Sequence, residues 1–378
     1  MNSFPESART ITLHRILLSY RDPNLAKSIV DKIKEYAAQI KDTVRIMNFC
    51  GTHEHTITYY GIRSLMPPNI ELVAGPGCPV CVTPARIIDA AIKLALEENL
   101  TVYTYGDMYK VPGTKLSLAQ AKGLGAKVVV VYGFNDAVRM ATKNKDDSIF
   151  VGVGFETTMP TVASQLYIGK VPNNLAIIPS YRLTPPILKY MLNRGDIRID
   201  GIILPGHVST IIGVESWLFL EGKVPSVIAG FEPIDVLIAI LMIIKQLVKG
   251  ESRVENEYSR VVRFKGNDKA RKLISKVFKV IDADWRGIGL VPNSGATLAE
   301  KFMHYDAFQK YDLKITNSVD IKPGCRCADI ILGLAKPTDC PLFMKACTPE
   351  TPYGPCMVSS EGTCHIWAKY GGYTEVKQ

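Results

Sequence analysis

Residues 44–50 read VRIMNFC, residues 70–74 IELVA and residues 100–105 LTVYTY, with ARIIDAAIKLALEEN (85–99) between the last two. The short stretches are apolar on both faces, as strands of a parallel sheet covered by helices must be. The longer one carries its apolar residues at helical spacing. The alternation continues through Lys127–Tyr132, Ser148–Val153, Asn174–Pro179, Gly201–Leu204 and Ser226–Ala229, with a further helical stretch at Pro185–Asn193. Strand and helix in succession predict an α/β layer architecture.

Glycines end or follow these strands, among them Gly51, Gly75, Gly77, Gly154, Gly206 and Gly230. In an open parallel sheet that edge, at the carboxyl ends of the strands, is where ligands bind. Thr83-Pro84 and Thr184-Pro185 each open a helix, where proline's missing N–H costs nothing. The repetition suggests two similar parallel-sheet α/β domains, 1–150 and 151–255. Beyond Gly230 the strand signal fades, and Ile234–Lys249, Asp268–Asp284 and Ala296–Asp312 read as helices. Residues 256–378 are therefore expected to be helical, then rich in Cys, Pro and Gly, with a short helix at Ala328–Ala335.

The 378 residues, 47% apolar and 21% charged, suit a globular protein of two or three domains. The net charge of +9 comes without a dense Lys/Arg block, so nucleic acid is not an expected partner. The longest apolar run, Val236–Ile244, is too short to cross a bilayer, which needs about 20 residues. Met1–Thr10 carries Glu6 and Arg9 and lacks the apolar core of a signal peptide. These readings place the chain in the cytoplasm, away from membranes. In that reducing compartment nine cysteines suggest metal ligands or redox thiols rather than structural disulfides.

Cys50, Cys78 and Cys81 sit early, and the other six fall between Cys325 and Cys364. The late group comprises Cys325, Cys327, Cys340, Cys347, Cys356 and Cys364, in a segment with too little core to fold without a metal. Four thiolates there suit an iron–sulfur cluster, leaving two that could exchange electrons with it as a dithiol/disulfide pair. A structural zinc with two inert thiols is the alternative. The early group lies in Cys50-Gly51-Thr52-His53-Glu54-His55 and Gly75-Pro76-Gly77-Cys78-Pro79-Val80-Cys81, at the exits of adjacent strands. Cys-x-x-Cys is the spacing of a redox pair, and three thiolates with an imidazole would also hold iron or copper. Gly51 is expected to let a partner approach the Cys50 sulfur, and His53 to favour its thiolate. His55 reads as a capping or solvent-facing residue.

Gly152-Val153-Gly154-Phe155-Glu156 lacks the third glycine of a dinucleotide loop and reads as a strand-to-helix turn. His207 follows a strand and reads as a satisfied polar residue. Glu361, between cluster cysteines, is a candidate for catalysis or for anchoring a loop.

NFCGTHEHT (48–56), VAGPGCPVCVTP (73–84) and a tail containing GCRCADI (324–330), KPTDCPLF (336–343) and CTPETPYGPCMVSSEGTC (347–364) together resemble the HypD family of hydrogenase maturation factors. The resemblance runs from about residue 12 to 375. It implies a scaffold that works with a small partner, HypC, to build the Fe(CN)2CO unit of nickel–iron hydrogenase. Cyanide would arrive from the HypE–HypF pair as a thiocyanate on a HypE cysteine. The resemblance further implies a 4Fe-4S cluster on Cys325, Cys340, Cys347 and Cys364. Cys327 and Cys356 would be a redox pair, as in ferredoxin–thioredoxin reductase. Cys50 would hold the iron carrying CN and CO ligands together with a HypC cysteine, beside the thiol pair Cys78/Cys81 and His53. Reductive cleavage of a thiocyanate needs two electrons, which a thiol pair supplies and a cluster can replace one at a time. A stand-alone iron–sulfur thiol-disulfide oxidoreductase and a zinc-stabilised binding module are the competing readings.

Overall fold

Among residues 18–371, which the computed structural model describes, two sheets form. The reading of Met1–Thr10 lies outside those residues. Eight of the strands are the ones the sequence predicts: β1 Val44–Asn48, β2 Ile70–Ala74, β3 Thr101–Tyr105, β4 Val128–Val131, β5 Ser148–Gly154, β6 Leu175–Arg182, β7 Gly201–Pro205 and β8 Ser226–Ala229. Three more, β9 Val254–Asn256, β10 Phe278–Trp285 and β11 Gly289–Leu298, complete the set. The first sheet is all parallel, in the order β2-β1-β7-β8-β9. The second, β10-β11-β6-β5-β3-β4, is parallel except for the antiparallel hairpin β10–β11 on its edge.

The fold class is as expected, but the sheets interleave along the chain. Residue 150, the expected boundary, falls inside β5, and the first sheet draws on both halves. The two helices opened by Thr-Pro explain the apparent repeat. Ala85–Glu97 carries the chain from β2 in the first sheet to β3 in the second, and Thr184–Leu192 carries it back from β6 to β7. They are the outward and return crossovers between sheets.

The crossover helix Ala85–Glu97 buries Ile87, Ile88, Ala91, Leu94 and Ala95 in a core shared by both sheets and the C-terminal segment. Pro23–Ala37 and Pro233–Lys249 cover the outer face of the first sheet through Ile33, Val236, Ile240 and Ile243. The apolar run Val236–Ile244 is thus a core-facing helix. Among the described residues no helix is long and apolar enough to cross a membrane.

Two expected helices are corrected. Asp268–Val277 is helical, but Phe278–Trp285 turns to strand, and Ala296–Asp312 holds the end of β11 and short helical turns at Glu300–Tyr305 and Ala307–Lys310. A strand at a sheet edge keeps exposed polar residues, here Lys279 and Asp282, which blur its two-residue alternation. The helix expected over Ala328–Ala335 spans Cys327–Ile331 and stops before Gly333, whose φ of +70° ends it.

Candidate functional site

Cys50 leaves β1 in extended conformation and is the N-cap of the helix Gly51–Tyr59. Its sulfur faces the backbone N–H groups of Thr52 and His53, which favour a thiolate. Burial, with the charge of Glu361 added, opposes them and pushes the thiol up to about 11. Cys50 is therefore a protonated thiol at neutral pH.

The exits of β1 and β2 interlock around it. A Cβ on Gly77 would stand 2.5 Å from Cys50 Cα and N, so only glycine allows that loop to close. Cys78 and Cys81 are joined as a disulfide. Together with Cys50 and Glu361 they line one small cavity, which Asn48, Glu54, Ile331 and Thr363 complete. The space beside Gly51, expected for a partner, is filled by this chain: a Cβ there would meet Glu361 Cβ and O at 2.5 Å. Burial, then the charge of Asp107, pushes the Glu361 carboxyl up to about 7. We expect Glu361→Gln to lower the Cys50 pKa, because it removes a negative charge that disfavours the thiolate. Alkylation of Cys50 at pH 8, followed by mass spectrometry, should then run several-fold faster than in the parent protein.

His53 does not join the thiols. Its Nε2 lies 2.9 Å from Gly230 O and 3.2 Å from Ala229 O, at the exit of β8. Its ring stacks on Phe231, which stacks in turn on His207. Burial lowers its pKa to about 4, so the ring is neutral at physiological pH. The expected thiolate-favouring imidazole is thus replaced by backbone N–H groups, one of them His53's own. With two thiols oxidised and the imidazole turned away, the four-donor set anticipated at Cys50 does not converge in this state. Among the described residues no three His, Cys, Asp or Glu side chains form a single-ion site. His55 packs against Tyr59 and Tyr370. Glu156 is buried and accepts from Thr184 N at 2.8 Å, binding the turn after β5 to the return crossover.

Glu54, which sequence reasoning passed over, links this site to the C-terminal helix Thr363–Tyr370. Its carboxylate accepts from Arg63 at 2.7 and 2.8 Å, from Trp367 Nε1 at 2.7 Å and from Asn48 at 2.8 Å. Burial alone would push it up, but Arg63 and these donors outweigh burial and hold it below its ordinary value. Glu54→Gln is expected to cost about 3 kcal/mol at pH 7, the scale for breaking a buried ion pair. A carboxyl with a depressed folded pKa contributes stability that is lost as pH falls through that pKa. Denaturation of both proteins should therefore show the difference closing below the ordinary carboxylate range.

The tail is pinned on both sides. Arg45 donates to Gly333 O from the first sheet. From the exit of β3, Asp107 accepts from Ser359 Oγ at 2.9 Å and from Ser360 N at 3.1 Å, holding the loop that carries Glu361. Between these anchors Cys325, Cys327, Cys340, Cys347 and Cys364 line one apolar cavity with Ile330, Leu342, Phe343 and Met357. Cys356 is fully buried and does not line it. Hydrogen bonds donated to Cys327, then burial, push the Cys325 and Cys364 thiols well up. Gly354 closes over this group, since a Cβ there would stand 2.7 Å from the sulfurs of Cys325 and Cys327.

The family described as Hydrogenase formation hypA family (HypD) matches residues 24–371. The chain belongs to the HypD family. A protein of Methanocaldococcus jannaschii named for hydrogenase expression and formation is 47% identical over 359 residues, covering 94% of this chain and 99% of its own. The hydrogenase maturation factor HypD of Rhizobium leguminosarum bv. viciae is 42% identical, covering 94% of this chain and 95% of its own. That of Escherichia coli (strain K12) is 38% identical, covering 94% and 98%. This HypD-family chain is a hydrogenase maturation factor.

Proposed function

We propose that the chain is the scaffold on which, together with HypC, the iron of nickel–iron hydrogenase acquires its cyanide and carbonyl ligands. What supports this most is one juxtaposition. A buried Cys50 at the N-cap of the helix Gly51–Tyr59 shares a cavity with the disulfide Cys78–Cys81 and with Glu361, which belongs to the cysteine-rich tail. Cys50 is the thiol left to hold the incoming iron, with a HypC cysteine as second ligand. Iron binding requires Cys50 to lose its proton. Glu361, with a pKa near 7, is placed to take it, and the Thr52 and His53 N–H groups favour the thiolate that forms.

The tail fits a 4Fe-4S cluster. Five sulfurs surround one apolar cavity, and Gly354 leaves no Cβ to fill the space beside two of them. Cys325, Cys340, Cys347 and Cys364 would hold it, and when bound it supplies electrons singly. Cys327 and Cys356 form the pair that stores two electrons. Two electrons reduce Cys78–Cys81 to two thiols beside Cys50. Two are also what release cyanide from a thiocyanate brought by HypE, with HypF upstream. Nothing in this chemistry calls for a membrane or nucleic acid, and reduced thiols suit the cytoplasm.

The disulfide beside Cys50 also suits a stand-alone thiol-disulfide oxidoreductase. Anaerobic co-purification with HypC, followed by iron and sulfide analysis, separates the two. The scaffold predicts a stable complex with iron beyond that of the cluster. Iron and sulfide in the chain with no retained partner would favour the oxidoreductase.

A further inference from the structure

β4 (Val128–Val131) is the outer strand of the second sheet and pairs only with β3 among the described residues. Val102 N donates to Lys127 O at 2.8 Å, which fixes the alternation of the parallel ladder. Residues 127, 129 and 131 turn their backbone groups toward β3, so Val128, Val130 and Tyr132 turn theirs away from the sheet. The edge is apolar as well as unpaired. Val130 is 51% exposed and Tyr132 wholly so, and Leu124 and Met140 lie exposed on the flanking helical segments.

An open strand edge is a template for pairing with another chain, and proteins normally blunt it. The three other sheet edges here are blunted. β2 is covered by Arg63, whose Nε donates to Leu72 O at 3.4 Å, and by the turn at Gly333, where a Cβ would stand 3.3 Å from Ala74 O. β9 has only three residues, and β10 carries the exposed Lys279 and Asp282. β4 has no charge, proline or register shift, and its four residues are all valine.

We propose that β4 is an interface with a second copy of this chain, the two strands pairing antiparallel about a two-fold axis at Val130. In that register the outward groups match without remainder. Val130 faces the second copy's Val130, and each Val128 faces a Tyr132, giving three pairs that each exchange two backbone hydrogen bonds. The side chains brought together are apolar, valine on valine and valine on tyrosine. Charge is complementary at the ends of the contact. Lys127 comes opposite the second copy's Gly133, on the side of Asp136 in the first turn of the helix Phe134–Lys143, and Lys143 lines the same groove as Lys127. Within its own chain Asp136 is paired with the exposed Arg139. A two-fold contact is closed, so pairing stops at the dimer. Neither thiol cavity is lined by residues of this edge, so both sites stay open in the dimer.

The test is sedimentation velocity on the anaerobically purified full chain from about 1 to about 100 µM, alongside hydrogen–deuterium exchange of the peptide spanning 126–133. The parent should pass from a 41.7 kDa monomer toward twice that mass as concentration rises, with exchange in that peptide slowing in step. Val130→Lys sets two like charges face to face at the axis and should weaken association by about tenfold or more. Val130→Thr, still β-branched, should stay within about threefold of the parent. A parent that is monomeric throughout the range would overturn the proposal, and so would a Val130→Lys variant that dimerises like the parent. Exchange protection that appears only on adding HypC would assign the edge to another occupant and overturn it too. The same holds for protection that is equal at every concentration, which would mean that residues outside 18–371 cover the strand. If circular dichroism melts show Val130→Lys to be misfolded, Val130→Pro is read by the same criterion, since that N–H points away from β3 and its loss leaves the ladder intact.

Discussion

Cys347→Ala purified anaerobically is expected to contain almost no iron or sulfide beyond background, and to lose the fold of its tail. Residues 336–362 contain only two short helical turns and few apolar side chains of their own. What organises them is the cysteine-lined cavity, and in such segments metal binding is folding energy, on the order of 10 kcal/mol in small metal-organised domains. Cys340→Ala should behave alike. Limited proteolysis should cut both variants within the tail while leaving the sheets intact, because those bury their own cores on both faces. Cys356→Ala should keep its iron and sulfide, since Cys356 lies outside the cavity lining. Cys327→Ala should keep them also, with four sulfurs remaining around the cavity. A full complement of iron and sulfide in Cys347→Ala would remove that residue from the ligand set.

Cys50→Ala is expected to have the opposite profile. The capping backbone, the Glu54 network and the tail do not depend on the sulfur, so fold, cluster and partner binding should survive. The iron held with the partner should fall to background, and with it both the cyanide and the carbonyl infrared bands. Cys50→Ser should do little better, because a hydroxyl is too hard and too weakly acidic to replace a thiolate on this metal. Retained diatomic bands in Cys50→Ala would shift the iron to Cys78 and Cys81 in their reduced state.

The strands were legible because a strand buried on both faces leaves a short continuous apolar run, and all eight such runs proved to be strands. Which sheet each run joins was not legible. β3 and β7 are both short buried runs, and only long-range pairing sends one to each sheet. β10 reads as the end of a helix to Asp284 because an edge strand with charged residues outward mimics an amphipathic helix. At the site, Cys50, Cys78, Cys81 and Glu361 were found from residue type and spacing, and the structure brings them to one cavity. The role given to His53 was misjudged because spacing does not say which way a side chain on the first helical turn points. Asp107 and Trp367 carried no signal of their own, as their partners Ser359, Ser360 and Glu54 lie more than 250 residues away in the chain.

The assembly role is tested most directly by the infrared spectrum of the complex between this chain and HypC, isolated anaerobically from cells that also supply HypE and HypF. A scaffold for the diatomic-bearing iron predicts bands in both the cyanide and the carbonyl stretching regions, with iron in excess of the cluster. A complex with full iron and sulfide in the tail, active in disulfide reduction but without either band, would contradict it.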